Sequence, residues 1–215
     1  MTTTDPVAAA GLVTREIHTG SREDQTTRVL VARRTYPAAQ ADLWSALTEA
    51  ERIPRWFLPV SGDLEVGGRY QFEGNAGGVV ERCVQPDSFA VTWEFGGQVS
   101  WLEIRLHPDG PDVTTLELVH EAVVDPDFWA QFGPGAVGVG WDGALRGLGL
   151  HLESGAALDA AEVEAWTLSP DGVAFTRAAA TGWGEAAIAD GDDTTAAREA
   201  AERTLAFYTT PPTEE

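Results

Sequence analysis

The sequence predicts an α+β fold, one curved antiparallel sheet crossed by a long helix, on three observations. Residues 69–121 write a series of short alternating segments: Arg69–Glu73, Gly78–Gln85, Phe89–Phe95, Val99–His107 and Val113–Glu121. Tight turns join them and no crossover helix intervenes, which is the pattern of an antiparallel meander with one face to bury. A helix then opens at Gly140-Trp141 and carries Trp141, Leu145, Leu148 and Leu152 along one apolar stripe. A single long helix laid on one curved sheet leaves a pocket between the two, so the pattern argues for a small-molecule container more than for a catalyst.

Ahead of the meander, residues 1–26 are polar and aperiodic and read as a flexible lead-in. Arg28–Tyr36 is a first strand, ended by Pro37. Ala38–Leu47 reads as a helix, and Glu49–Phe57 as a short turn that Pro59 prevents from continuing. Within the meander the period of two assigns faces. Tyr70 and Phe72, Val91 with Trp93 and Phe95, Leu102 with Ile104 and Leu106, and Leu116 with Leu118 and His120 fall on the inner side. Arg105 and Glu117 fall on the outer side, close enough for a cross-strand pair worth ~0.2–1 kcal/mol. Beyond the long helix the texture turns Ala-rich, with helices over Val173–Ile188 and Thr194–Tyr208, the second capped by Asp192 or Asp193. The domain reading is therefore a lead-in over 1–26, a sheet-and-helix domain over 27–155 and a helical appendage over 156–215. The appendage needs a surface to lie on, because helices this short are weak alone.

Composition narrows the function. With 34 acidic residues against 14 basic ones, all of them Arg, the net charge is −20. A surface this negative repels nucleic acid and anionic membranes, and no basic patch overrides it. The single Cys83 excludes internal disulfides and a cysteine-based metal site. No signal-peptide pattern opens the chain and no stretch reads as a membrane span, so a cytoplasmic protein is expected.

The candidate site is an aromatic pocket lined by Tyr70, Phe72, Trp93, Phe95, Leu118 and His120 from the sheet, with Trp141 and Leu145 opposite. Trp44, Trp56 and Phe57 stand as its mouth, and Phe128, Trp129 and Phe132 as the other lip. The competing reading of each is plain core packing. His120 is the one polar residue on the apolar face: it could orient a ligand or act as a base, or be a core residue bonded to a neighbouring carbonyl. His151 reads as a helix-end cap, and His18 and His107 as loop residues. Gly138-Val-Gly140-Trp-Asp-Gly143 matches the dinucleotide glycine pattern, but no parallel strand precedes it. Asp190-Gly-Asp-Asp193 fails the calcium-loop spacing. Neither a metal nor a cofactor is expected.

Several segments in order carry a family resemblance: Pro37, DLWSALTEAERIPRWFLP (42–59), GGRYQF (67–72), VVERCVQP (79–86), TWEF (92–95), TLELVHEAV (115–123) and GWDGALRGLGLHLE (140–153). Over residues 28–154 the chain resembles the bacterial proteins related to the activator of the heat-shock protein 90 ATPase, a branch of the START-like (SRPBCC) superfamily. The resemblance implies a helix-grip fold with an internal cavity and no cofactor. Members of the superfamily bind apolar ligands, and some are cyclases or other enzymes. Three functions follow as expectations. The first is a carrier or sensor of a small apolar molecule, without obligatory catalysis. The second is a cyclase- or hydrolase-type enzyme with His120 as base and Asp142 or Tyr70 as its proton partner. The third is a chaperone-linked interaction module, and the bland appended helices could also serve a homodimer.

Overall fold

The computed structural model describes residues 5–210. Pro6–Gly11 form a short helix, α1, capped by the Asp5 carboxylate, and Val13–Arg22 (β1) pairs along its whole length with Gln25–Tyr36 (β2). The expected flexible lead-in is thus corrected: Ala10, Val13 and Ile17 are buried. Its alternation is diluted by polar side chains, and its hairpin turns through Glu23 and Asp24, both at positive φ, where Asn-Gly would have announced the turn. Residues 1–4 of that segment, and 211–215 of the appendage, lie outside the described residues.

Gln40–Thr48 (α2) and a 3₁₀ turn at Ile53–Arg55 follow, and then the short strand Val60–Gly62 (β3). The meander runs through Arg69–Phe72 (β4), Gly77–Val84 (β5), Ser88–Phe95 (β6), Gln98–Gly110 (β7) and Val113–Ala122 (β8). All neighbours are antiparallel, in the order β1-β2-β8-β7-β6-β5-β4-β3, so the N-terminal hairpin extends the sheet beyond β8. His18 and His107, expected in loops, lie in β1 and β7.

The convex face is laced by charge. Glu117 accepts from Arg33 Nε at 2.6 Å and from Arg105 Nη1 at 2.8 Å, and Glu16, Glu103 and Arg82 continue the row to both sides. Burial alone would raise the Glu117 pKa, but the hydrogen bonds from the two arginines outweigh it and hold the carboxyl below its usual range.

On the concave face Pro126–Phe132 (α3) leads into Gly135–Ser154 (α4). The long helix therefore begins at Gly135, before the expected Gly140. Its glycine-rich start is weak by propensity, but a neighbouring helix needs the room. Ala160–Thr167 (α5), Pro170–Asp190 (α6) and Thr194–Thr209 (α7) complete the chain, with Asp193 capping α7. Helix α6 packs on β1 and alongside α4, and α7 packs on α6 and α3. A Cβ on Gly138 would overlap the indole of the fully buried Trp183 in α6, so this glycine permits the close approach of the two helices. No helix among the described residues is long and apolar enough to cross a membrane.

Candidate functional site: an apolar cavity

Between α4 and strands β4 to β8 the side chains do not fill the space. A cavity of about 140 Å³ remains, walled by α4, the sheet, the end of α2 and the 3₁₀ turn. Trp56, Phe57, Tyr70, Phe72, Trp93, Leu118, Trp141 and Leu145, all expected at a pocket, line it. The rings form a continuous row. Successive centroids lie 5.5 Å apart from Trp56 to Phe57, 5.0 Å to Phe72, 5.7 Å to Trp93 and 5.0 Å to Trp141, in edge-on or tilted contact. The 3₁₀ turn, two strands and the helix each supply part of the row, so tertiary packing alone assembles it.

Six of the named residues, Phe128 among them, stand elsewhere. Trp44 is buried edge-on against Phe89, 6.0 Å between centroids, and supports the wall from behind. Phe95 shares its strand face with Trp93 but lies at the Gly96-Gly97 hairpin and is 59% exposed. Trp129 and Phe132 belong to α3. The Trp129 indole N–H donates to Asp192 at 2.7 Å, and Phe132 packs on Phe128 and Phe207. Trp129 and His120 border a separate, smaller recess of about 40 Å³ beneath α3.

His120 is buried directly behind the aromatic row. Its Nδ1 accepts the Trp141 indole N–H at 2.9 Å, which puts the ring proton on Nε2, 2.7 Å from Ser100 Oγ. Ser100 Oγ in turn donates to the Trp93 carbonyl oxygen at 3.0 Å. One neutral imidazole therefore ties both tryptophans of the wall, and burial pushes its pKa down to about 4. Both ring nitrogens are engaged within the wall, so His120 offers the cavity no free lone pair.

The partners expected for a His120 base are not beside it. The Tyr70 hydroxyl donates to the Thr92 carbonyl at 2.7 Å. Asp142 points to the opposite side of α4, where its Oδ2 accepts from Arg15 Nε and from the Trp183 indole, each at 3.0 Å. Burial raises its pKa to about 6 against the pull of Arg15, and its Oδ1 has no hydrogen-bond partner. His151 is fully buried, its Nδ1 2.7 Å from the Ala156 carbonyl just beyond the helix end. Among the described residues no group of three metal-ligating side chains comes together.

The lining also includes residues that the aromatic search passed over. Leu102, Ile104, Leu116, Val91 and Leu148 sit on the very faces assigned inward, and their periodicity was the available signal. Val80 and Cys83 both line the cavity although an unbroken strand would point them to opposite faces. A register shift between Val80 and Arg82 reverses the alternation, and nothing in the local pattern announces it. Leu47, Thr48, Ile53, Val60 and Leu64 arrive from outside the meander.

The model of the Activator of Hsp90 ATPase homolog 1-like protein family matches residues 37–153. The chain is similar to CalU16 from Micromonospora echinospora: 29% identity with its crystal structure, covering 81% of this chain and 97% of that one, at a TM-score of 0.64. With the solution structure of CalU16 the identity is 28%, the coverage 83% and 97%, and the TM-score 0.68. These matches are longer than residues 1–153 and so reach into the C-terminal helices. MLL2253 from Mesorhizobium loti, 23% identical over 59% of this chain and 97% of that one at a TM-score of 0.52, shares the fold. No curated protein matches.

Proposed function

The chain belongs to the Activator of Hsp90 ATPase homolog 1-like family within the START-like superfamily, and from that membership and its cavity we propose that it binds a small apolar molecule between the sheet and α4, as a carrier or sensor. The observation that carries the proposal is the unfilled, aromatic-walled space itself. Protein interiors pack nearly as densely as organic crystals, and an apolar void of roughly 150 Å³ is large enough to take a benzene-sized guest. The 140 Å³ here is of that size.

The catalytic alternative gains no support from geometry, since His120 and Tyr70 are hydrogen-bonded within the protein and Asp142 lies on the opposite side of α4, bound to Arg15 and Trp183. The chaperone-linked alternative rests on the family's description.

Native mass spectrometry of the purified protein, before and after denaturing extraction, tests the binding reading. The expected result is a non-covalent adduct that is extracted by denaturation and diminished in Trp93→Ala and Trp141→Ala. The absence of any adduct, with no thermal shift across a panel of aromatic and aliphatic compounds, would sink it.

A further inference from the structure

We infer that the protein has a second binding site, for a phosphate-type oxyanion, formed by Arg34 of β2, Arg146 of α4 and Thr176 of α6. None of the three lines the apolar cavity, so the inference stands apart from the proposed function.

Eleven of the fourteen arginines form an ion pair with a carboxylate among the described residues. Arg34, Arg55 and Arg146 do not, although the chain has 34 acidic residues to offer them. Arg55 is exposed and donates to the Gly155 carbonyl. Arg34 is only 8% exposed, so water cannot make up for a missing partner. Its Nη1 donates to the Leu145 carbonyl at 3.0 Å and its guanidinium stands 4.9 Å from the Tyr36 ring, but its buried Nε has no hydrogen-bond partner. Buried charges are ordinarily paired. The buried carboxylate of α4, Asp142, accepts from Arg15 and Trp183 instead.

Packing around α4 brings the other two residues to the same place. A Cβ on Gly149 would lie 2.5 Å from Arg34 Nη2, so the Arg34 guanidinium occupies the side-chain position of residue 149. Arg146 precedes Gly149 by three residues, and such helix neighbours have Cβ positions about 5–6 Å apart. The Arg146 guanidinium lies 3.4 Å from the centroid of the Trp166 ring in α5 and forms no hydrogen bond among the described residues. Stacking uses the flat face of the group and leaves its N–H edge for an acceptor. Burial and the charge of Arg34 lower the Arg146 pKa, as expected of like charges held close together. Helices α4 and α6 meet where Gly138 faces Trp183 and where Arg146 faces Phe175, so they run antiparallel. Thr176, two turns before Trp183 on the same face of α6, is therefore level with Arg146. It is buried, and its hydroxyl forms no hydrogen bond among the described residues.

Donors from three elements suit the several oxygens of a phosphate group, and guanidinium forks bind such oxygens in pairs. The net charge of −20 opposes any anion at long range. Screening over about 8 Å leaves the decision to the local charges, where Arg15, Arg34 and Arg146 outnumber Asp142.

Titration of the full chain with inorganic phosphate, followed by NMR of the arginine Nε–H signals, tests the site against sodium chloride at matched ionic strength. Phosphate is expected to shift the Arg34 and Arg146 signals saturably, and chloride to leave them in place. Arg146→Gln, at a side chain without hydrogen bonds, should weaken the Arg34 response at least about tenfold, and Arg55→Gln should leave it unchanged. Methyl phosphate separates two sources of the group. Saturation by both anions supports a site for a phosphate monoester, and saturation by inorganic phosphate alone supports a site for the free ion. An Arg34 signal that does not move, shifts that chloride reproduces, or full affinity in Arg146→Gln each overturn the site. The response of Arg34 in the native chain decides the matter even where a variant fails to fold, and no outcome bears on the cavity.

Discussion

The two sides of α4 were built to different standards of packing. Toward the sheet, Trp141, Ala144, Leu145 and Leu148 border an open space that, among the described residues, no charged side chain lines. Toward α6, the same helix presents Gly138 to the Trp183 indole and Asp142 to Arg15, with no room for an extra methyl at Gly138 and one carboxylate oxygen left without a hydrogen bond. The filled side holds the N-terminal hairpin and the C-terminal helices to the domain. A guest bound on the open side, as proposed, would leave that attachment undisturbed. On the proposed reading, stability and binding fall to opposite faces of one helix, and substitutions on the two faces should separate them.

The largest effect is expected on the filled face. Trp183→Ala removes a fully buried indole, opens a large void and takes a hydrogen bond from the buried Asp142 carboxylate. A loss of about 4 kcal/mol is expected from denaturant midpoints. A loss below about 1 kcal/mol would mean that the C-terminal helices are loosely attached and that the contrast between the faces is false.

Acid should act on the two faces with opposite sign. His120, behind the cavity wall, has its pKa pushed to about 4 by burial. Between pH 7 and 5 the unfolded chain takes up a proton that the fold refuses, so acidification costs about 2 kcal/mol at this site. Asp142, raised to about 6 by burial, takes up a proton in the fold over the same range while the unfolded carboxyl stays ionised. Acidification is therefore favourable there, by about 1 kcal/mol. The two partly offset in the native chain, leaving a net cost of about 1 kcal/mol. His120→Gln, whose amide oxygen can still accept the Trp141 N–H, should make the protein more stable at pH 5 than at pH 7, and Asp142→Asn should steepen its loss. Denaturant titrations at both pH values that show identical slopes for all three proteins would refute this pairing.

The smallest effect on stability belongs to the open face. Ala144→Leu places extra methyl groups into empty space, so stability should change by less than about 1 kcal/mol in either direction. On the proposed reading, affinity for a benzene-sized guest such as toluene, read from an NMR titration of the leucine methyl groups, should nevertheless fall at least tenfold. A destabilisation of about 3 kcal/mol would show that the space collapses in solution and is not available to a guest.

Much of the sheet was legible in the residues because its signal is local. The alternation in Tyr70-Gln71-Phe72 and in Leu116–His120 placed those side chains inward, and the Arg105–Glu117 pair sits in direct register, as their faces required. The stripe of Trp141, Leu145 and Leu148 pointed to the helix face that borders the cavity. The N-terminal hairpin escaped notice because the burial of Val13 and Ile17 depends on α6, a partner more than a hundred residues away, and because Glu23-Asp24 is an unusual pair for its turn. The lip expected from Trp129 and Phe132 failed for a similar reason. Asp192 and Phe207, on or beside α7, draw those side chains to the appendage.

By itself the sequence determined the strands' inner and outer faces, the apolar stripe of the long helix and the uncharged character of what lies between them. These follow from periodicity within a few residues. Only the tertiary structure decided that His120 stands behind Trp141 and not in front of it, that Asp142 faces away from the cavity, and that Val80 and Cys83 reach the same wall. Each depends on a distance, a rotation or a register shift between elements, which is set by how side chains far apart in the chain pack against one another. The cavity is the outcome of that packing: the volume that remains when Gly138 lets α6 approach one side of α4 and the aromatic rings hold the other side off the sheet.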